Sequence, residues 1–361
     1  MASESEIEGK VMLKVSVNPS RINRLDLFRA ADIDVVEGRV STEEDMVDLM
    51  ADVDGAQVGV WPLTSRRVLE NCPRLKVVSR FGVGVDSIDL DAATELGVLV
   101  CNVPGSNTSE VADHAMALLL ALTRKIVDAS NTVREGVWKD DPKRNASYYG
   151  SVRRIAGHVV GVIGFGNIGR AFTNRVRGFG PSEIIAFDPY VSQIDADIYG
   201  VKMVSLETLL STSDYITIHS SATEETYHLI NESSLATMKS SALLINTARG
   251  PIVDGAALAN ALEKGVIEGA GLDVTEQEPI ESDDPLLFLE NCIVTPHVAG
   301  FSPTFLEDCA IRQAENIIFA LSGRKPHGLA NPEVIKTIAV MRQSDDSRWS
   351  GIEDFSTALK L

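Results

Sequence analysis

The chain has 361 residues, enough for two domains with separate cores, and its 44% hydrophobic and 23% charged residues are ordinary for a globular protein. No apolar run approaches the ~18 residues needed to span a bilayer, and the acidic start Met1-Ala-Ser-Glu-Ser-Glu6 reads as no secretory leader. A net charge of −18 repels nucleic acid and anionic membrane, so neither is an expected partner. Cys72, Cys101, Cys292 and Cys309 form no C-x-x-C pair and read as free core thiols of a reducing cytoplasm, with no metal site.

In chain order, Val11–Val17 predicts a strand, Thr42–Asp52 a helix, Gln57–Trp61 a strand, Arg66–Asn71 a helix, Leu75–Arg80 a strand, Leu90–Leu96 a helix and Val98–Asn102 a strand. This alternation implies a parallel sheet covered by helices. Val111–Leu122 is an almost wholly apolar helix and is expected to be buried in the chain or in a subunit interface. The polar stretch from Arg134 to Arg154 reads as a surface loop or arm. A second alternating series follows, with strands at Val159–Ile163, Glu183–Phe187, Tyr215–His219, Ala242–Asn246, Gly269–Asp273 and Ile293–Val294. Thr304–Leu321 keeps helical spacing, and Met341–Leu361 gives no clear pattern.

The segment Val159-Val-Gly-Val-Ile-Gly164-Phe-Gly166-Asn-Ile-Gly169-Arg170 reads as strand, glycine turn and helix start. Gly164 suits the tight turn, Gly166 a close approach of backbone to a pyrophosphate, and Gly169 close packing of helix on strand. The helix N-terminus offers unpaired N–H groups to phosphate. The next strand ends in Asp188, 19 residues past Gly169, where a carboxylate accepts hydrogen bonds from a ribose diol and repels a 2′-phosphate. NAD is therefore the expected cofactor, in preference to NADP.

Three further strands end in polar residues, at the sheet edge where α/β folds bind ligands. Leu243-Leu-Ile-Asn-Thr-Ala-Arg249-Gly250 delivers an arginine, Gly269-Ala-Gly-Leu-Asp273-Val-Thr-Glu276-Gln-Glu278-Pro279 delivers acids, and Ile293-Val-Thr-Pro-His297-Val-Ala-Gly300 delivers a histidine. Reduction of a 2-oxo acid needs a cation for the carboxylate, polarisation of the carbonyl, and a proton for the nascent alkoxide. Arginine meets the first two needs with its planar fork. Histidine meets the third, and a neighbouring carboxylate stabilises its protonated form. Singly, each residue also suits a surface or capping role. Together at successive strand ends beside a dinucleotide motif, they point to chemistry.

With these motifs the chain resembles the D-isomer-specific 2-hydroxyacid dehydrogenases from about Val11 to Val334. The resemblance implies an NAD-dependent oxidoreductase moving a hydride between nicotinamide and carbon 2 of a small 2-oxo or D-2-hydroxy acid. It implies an α/β architecture of two Rossmann- or flavodoxin-like domains with parallel sheets around a central cleft. Residues 1–103 and 302–337 would form the substrate domain and 104–301 the NAD domain, leaving 338–361 as an unassigned tail. Arg249, Glu278 and His297 would be catalytic. Cofactor contacts are expected from Gly164, Gly166, Asn167, Ile168, Gly169, Asp188, Thr108, Thr247, Ala248, Asp273, His297 and Gly300. Asp273 would meet the nicotinamide carboxamide. Arg80-Phe-Gly-Val83-Gly84-Val-Asp86 resembles the substrate loop, with Val83, Gly84, Arg249, His297 and Trp61 at the substrate. Asn107-Thr108 with Val111-Ala112-Asp113 resembles the hinge and cofactor-facing segment. The resemblance also implies a homodimer, with Val111–Leu122 and the arm around Trp138 in the interface. Ser151–Gly161 and Asn246–Asp254 resemble the C-terminal-binding-protein branch, some of whose members are corepressors that sense NAD(H). A dinucleotide-sensing binding protein is thus the alternative, although His297 is followed by Val298-Ala-Gly300-Phe301 without that branch's pocket tryptophan.

Overall fold

The computed structural model describes residues 12–344 and 347–352. They fall into two compact units, one containing the chain up to Asn107 and again from Ser302, the other Thr108–Phe301. Both units are α/β with fully parallel sheets.

The first unit begins with β1 (Lys14–Val17), α1 (Leu25–Ala30), β2 (Asp34–Glu37), α2 (Glu43–Met50), β3 (Gly55–Val58), α3 (Arg66–Glu70), β4 (Val77–Arg80), α4 (Leu90–Glu95) and β5 (Leu99–Cys101). Its sheet order is β2-β1-β3-β4-β5, the flavodoxin-like arrangement. The second unit opens with α5 (Thr108–Arg124), α6 (Ile126–Arg134), α7 (Val137–Asp140) and α8 (Pro142–Ser151). It continues through β6 (Val159–Ile163), α9 (Asn167–Arg177), β7 (Glu183–Phe187), α10 (Gln193–Asp197), β8 (Lys202–Met203), α11 (Leu206–Thr212) and β9 (Tyr215–Ile218). It closes with α12 (Glu232–Thr237), β10 (Leu243–Asn246), α13 (Gly255–Glu263), β11 (Gly269–Leu272) and β12 (Cys292–Val294). The sheet order β12-β11-β10-β9-β6-β7-β8 is a doubly wound Rossmann sheet with the glycine-motif strand β6 near its middle. The central strands β9, β10 and β11 are buried at every position, as expected of parallel strands covered on both faces.

The chain then returns to the first unit as α14 (Pro303–Leu321) and α15 (Val334–Met341). Ser302 caps α14 by accepting the Phe305 N–H, with proline in the first turn. Two buried amides on α14 reach the ends of the sheet. Gln313 Nε2 donates to the carbonyls of Val58 and Ser79 at 3.2 and 2.7 Å, and Asn316 Nδ2 donates to the Asn102 carbonyl at 2.9 Å. These bonds satisfy carbonyls where strands give way to loops, and so fix the loops that follow β3 and β4.

The structure corrects several expectations. The Arg134–Arg154 region is mostly helical: Asp141 caps α8 through the N–H groups of Lys143 and Arg144. Polar surface composition suggested a loop, yet one buried face is not required for short helices tied by caps. The edge strands β2 and β8 escaped notice because, at four and two residues, each is too short to show a strand period. Val11 lies outside the described residues, as do the first residues of the chain, 345–346 and those after 352. The described part of the tail is an anchor: Trp349 is fully buried in the first unit's core, and its Nε1 donates to the Gly97 carbonyl at 2.8 Å. Trp349→Ala is therefore expected to destabilise the protein by about 3–5 kcal/mol, seen as a lower urea midpoint. A midpoint equal to wild type would show that the core does not depend on this anchor.

Candidate active site

The glycine turn begins where β6 ends. Gly164 has φ +85°, and a Cβ there would lie 2.5 Å from the Ser220 backbone nitrogen, so both conformation and close approach demand glycine. At Gly169 a Cβ would meet the Gly164 carbonyl oxygen at 2.2 Å, which lets α9 begin against the turn. Gly166 faces open space, and no side chain caps α9 there, so its first N–H groups remain available to an anion. Asn167 is exposed at the helix start and Ile168 is half-buried. Asp188 follows β7. Its carboxylate accepts the Phe165 N–H at 2.8 Å and the Tyr190 N–H at 2.9 Å, which ties the acid to the glycine turn. Among the described residues, the buried hydroxyls of Ser220 and Thr247 at neighbouring strand ends have no hydrogen-bond partner. An open phosphate cradle, an acid one strand away and unsatisfied hydroxyls beside it together fit NAD.

The catalytic candidates follow three adjacent strands. Asn246, fully buried at the end of β10, accepts the Ala248 N–H and donates to the Arg249 carbonyl, shaping the turn that carries Thr247, Ala248 and Arg249. Arg249 Nη1 donates to the Ala248 carbonyl at 2.7 Å. A Cβ on Gly250 would sit 1.8 Å from the Thr275 carbonyl oxygen, so glycine is what allows the Arg249 turn to lie against the loop bearing Glu278. Glu278 Oε1 accepts the Thr275 N–H at 3.1 Å, and Oε2 lies 2.6 Å from His297 Nδ1. Burial pushes the Glu278 carboxyl up, but the His297 hydrogen bond and charge, the Thr275 N–H and the Arg249 charge outweigh it, so its pKa lies below the ordinary value. Glu278 is thus ionised wherever a histidine titrates. With Nδ1 turned to Glu278, Nε2 is the nitrogen left to meet a substrate.

His297 is one of four non-glycine residues with positive φ among the described residues, at φ 53°. Such a conformation costs on the order of 1–3 kcal/mol and persists where surroundings hold it. Asp273 holds it here. Its carbonyl accepts the His297 N–H at 2.8 Å, and its buried carboxylate accepts the N–H groups of Val298 and Ala299 at 3.0 and 2.8 Å. Gly300 ends this turn. Sequence reading assigned Asp273 only to the cofactor; its grip on the histidine turn depends on backbone geometry that residue types do not disclose. Thr108 opens α5, whereas Asp113 on the same helix faces Arg175 and pairs with its Nε at 2.5 Å, tying α5 to α9.

In the first unit, Val83 and Gly84 lie on the loop after β4, held by the Asn102 amide donating to the Val83 carbonyl at 2.6 Å. Among the described residues, neither the Val83 nor the Gly84 N–H has an acceptor. Trp61 is 72% exposed and, with Phe81, lines a cavity of about 270 Å³ at the C-terminal ends of β1, β3 and β4.

The NAD binding domain of the D-isomer specific 2-hydroxyacid dehydrogenases matches residues 116–299. The chain belongs to this family. It is 41% identical over 304 residues to a glyoxylate reductase of Korarchaeum cryptofilum, covering 84% of this chain and 87% of that one. It is 40% identical over 283 residues to the D-3-phosphoglycerate dehydrogenase of Mycobacterium tuberculosis, covering 76% of this chain but 52% of that one. The holo D-mandelate dehydrogenase of Rhodotorula graminis superposes with a TM-score of 0.81 at 25% identity, covering 89% and 98% of the two chains. The protein is thus an NAD-binding 2-hydroxyacid dehydrogenase, and among the described residues no helix is long and apolar enough to cross a membrane.

Two residues escaped sequence reading, His114 on α5 and Thr295 before His297. The signal was present in the alternation Gly269, Gly271, Asp273 opposite the helical spacing His114, Leu118, Leu122. For the cofactor, Asp188 should make kcat/KM for NADH at least tenfold higher than for NADPH, about 1.4 kcal/mol. Asp188→Ala should shrink that ratio, and equal use of both cofactors by the unmodified protein would remove the assignment.

Proposed function

We propose that the protein reduces a small, unphosphorylated 2-oxo acid to the D-2-hydroxy acid with NADH, and runs the reverse reaction with NAD. The observation that carries this is the 2.6 Å Glu278–His297 pair on the strand ends next to Arg249. The dinucleotide, when bound, supplies the hydride to carbon 2. Gly164, Gly166, Gly169 and Asp188 would hold it, with Thr108, Asn167, Ile168, Thr247, Ala248, Asp273 and Gly300 around it. Arg249 binds the substrate carboxylate and polarises the carbonyl with its two-pronged guanidinium. In the first unit, the N–H groups of Val83 and Gly84, which have no acceptor among the described residues, are donors suited to an anionic oxygen. His297 donates its Nε2 proton to the carbonyl oxygen, and Glu278 keeps the ring oriented and stabilises the imidazolium. In oxidation His297 takes that proton back.

The cavity at Trp61 supports an uncharged substrate side chain, because among the described residues no ionisable one lines it. A phosphorylated substrate would leave its charge there without a cation. A corepressor-like sensor needs the dinucleotide site but not a proton-transfer pair, and the intact Arg249, Glu278 and His297 favour the enzyme. The homodimer implied by the family fits the exposed apolar side chains of Ile126, Val127, Val133, Trp138 and Tyr149 on α6–α8. The four free cysteines suit a cytoplasmic setting.

A screen of glyoxylate, hydroxypyruvate, pyruvate, phenylpyruvate and 3-phosphohydroxypyruvate with NADH tests the reading. At least one unphosphorylated acid should exceed the phosphorylated one by tenfold or more in kcat/KM. A clear preference for 3-phosphohydroxypyruvate, or no turnover of any 2-oxo acid, would overturn it. On the best substrate, His297→Ala should cut turnover roughly a hundredfold or more while NADH still binds. Arg249→Lys keeps the charge but not the fork and should raise KM and lower kcat; a kcat/KM within about threefold of wild type would show that Arg249 is not the anchor.

A further inference from the structure

We propose that His114 is a positioning residue for His297, acting through Thr295 and Asp273. This goes beyond the proposed reaction and rests on that reading only for its kinetic arm. The placement starts from two glycines. On β11, residues 269, 271 and 273 share one face of the strand. On α5, residues 114, 118 and 122 share one face of the helix. A Cβ on Gly271 would lie 3.1 Å from Leu118 Cβ, and one on Gly269 would lie 3.6 Å from a Leu122 methyl. The bare strand lets the helix lie close, and the next pair along is His114 with Asp273.

There the hydrogen bonds chain together. Thr295 Oγ1 is 2.6 Å from Asp273 Oδ1, and His114 Nε2 is 3.0 Å from Thr295 Oγ1. A hydroxyl has one proton to give. Of its two acceptors, the Leu272 carbonyl at 3.4 Å and the Asp273 carboxylate at 2.6 Å, the nearer and charged carboxylate takes it, so the Thr295 oxygen accepts from His114, which fixes the proton of the His114 ring on Nε2. The same nitrogen is 3.5 Å from Asp273 Oδ1. The carboxylate so held then receives the N–H groups of Val298 and Ala299, while the Asp273 carbonyl receives that of His297. His114 thereby braces, from outside the reacting centre, the turn that keeps His297 in its left-handed conformation. Among the described residues the network meets Glu278 only through His297 itself.

Hydrogen exchange of the full-length protein reads the brace without reference to activity. His114→Leu and Thr295→Val should each speed exchange of the Val298 and Ala299 amides at least tenfold, whereas His114→Gln, which retains an N–H donor, should recover most of the protection. Kinetics with NADH and glyoxylate add a second readout. Each disruptive variant should lower kcat at least tenfold with KM for NADH within threefold, and the double variant should lose no more than the worse single one. Thr295→Ser keeps the hydroxyl and tests the same bond with minimal change to packing; it should stay close to wild type in both measurements. Exchange within twofold of wild type in both disruptive variants, or losses that multiply in the double variant, would overturn the proposal. A wild-type protein that reduces no 2-oxo acid would count against the proposed reaction alone, since the exchange result stands apart from it.

Discussion

The site depends on parallel strands that end together. Asn246 of β10 is in register with Leu272 of β11, and Leu272 with Val294 of β12. From that common line the three loops carry Arg249, Glu278 and His297 forward from one edge of the sheet. A slip of one residue in any of these strands would turn its side chains to the opposite face and break the Glu278–His297 contact. β11 resists such a slip because Gly269 and Gly271 lie under Leu122 and Leu118 of α5, where a shift of one residue would put the larger Ala270 and Leu272. Core packing therefore sets the precision with which the acid meets the histidine.

Electrostatics act on two length scales. The chain carries a net charge of −18, which opposes the approach of an anionic substrate. At physiological ionic strength that field is screened over about 8 Å. A direct contact with Arg249 operates well inside this distance, so a local cation can select a carboxylate on an acidic protein. Glu278 would be a liability facing that same carboxylate, but His297 and the Thr275 N–H already occupy its oxygens. The acid thereby serves the histidine.

Sequence patterns exposed the elements whose chemistry is local. The glycine turn, the acid after the second strand and the polar ends of β10, β11 and β12 all follow from residue type and strand period. What escaped depends on partners far apart in the chain. The grip of Asp273 on Val298 and Ala299 is made through backbone N–H groups, which carry no residue signature. His114 meets Thr295 across 181 positions, and only the opposed glycine and leucine spacings hint at it. Trp349 was unreadable for a related reason: a lone aromatic in a polar tail shows no period, and its burial depends on a gap left by other elements. The helices α7 and α8 were missed because capping by Asp141 and tertiary support, rather than a long apolar stripe, hold them.

Proton transfer by His297 under the charge of Glu278 is the centre of the account, and paired pH–rate profiles test it most directly. In the proposed reaction, reduction draws on the proton carried by His297, so its rate should fall as pH rises; oxidation needs the neutral ring, so its rate should fall as pH drops. Glu278 is held below the usual carboxylate range and remains an anion throughout. Glu278→Gln removes that anion, destabilises the imidazolium, and should move the reduction limb to lower pH. Opposed limbs that shift downward together in the variant are the predicted result; limbs that stay where they were, or that run in the same direction for both reactions, would contradict the mechanism.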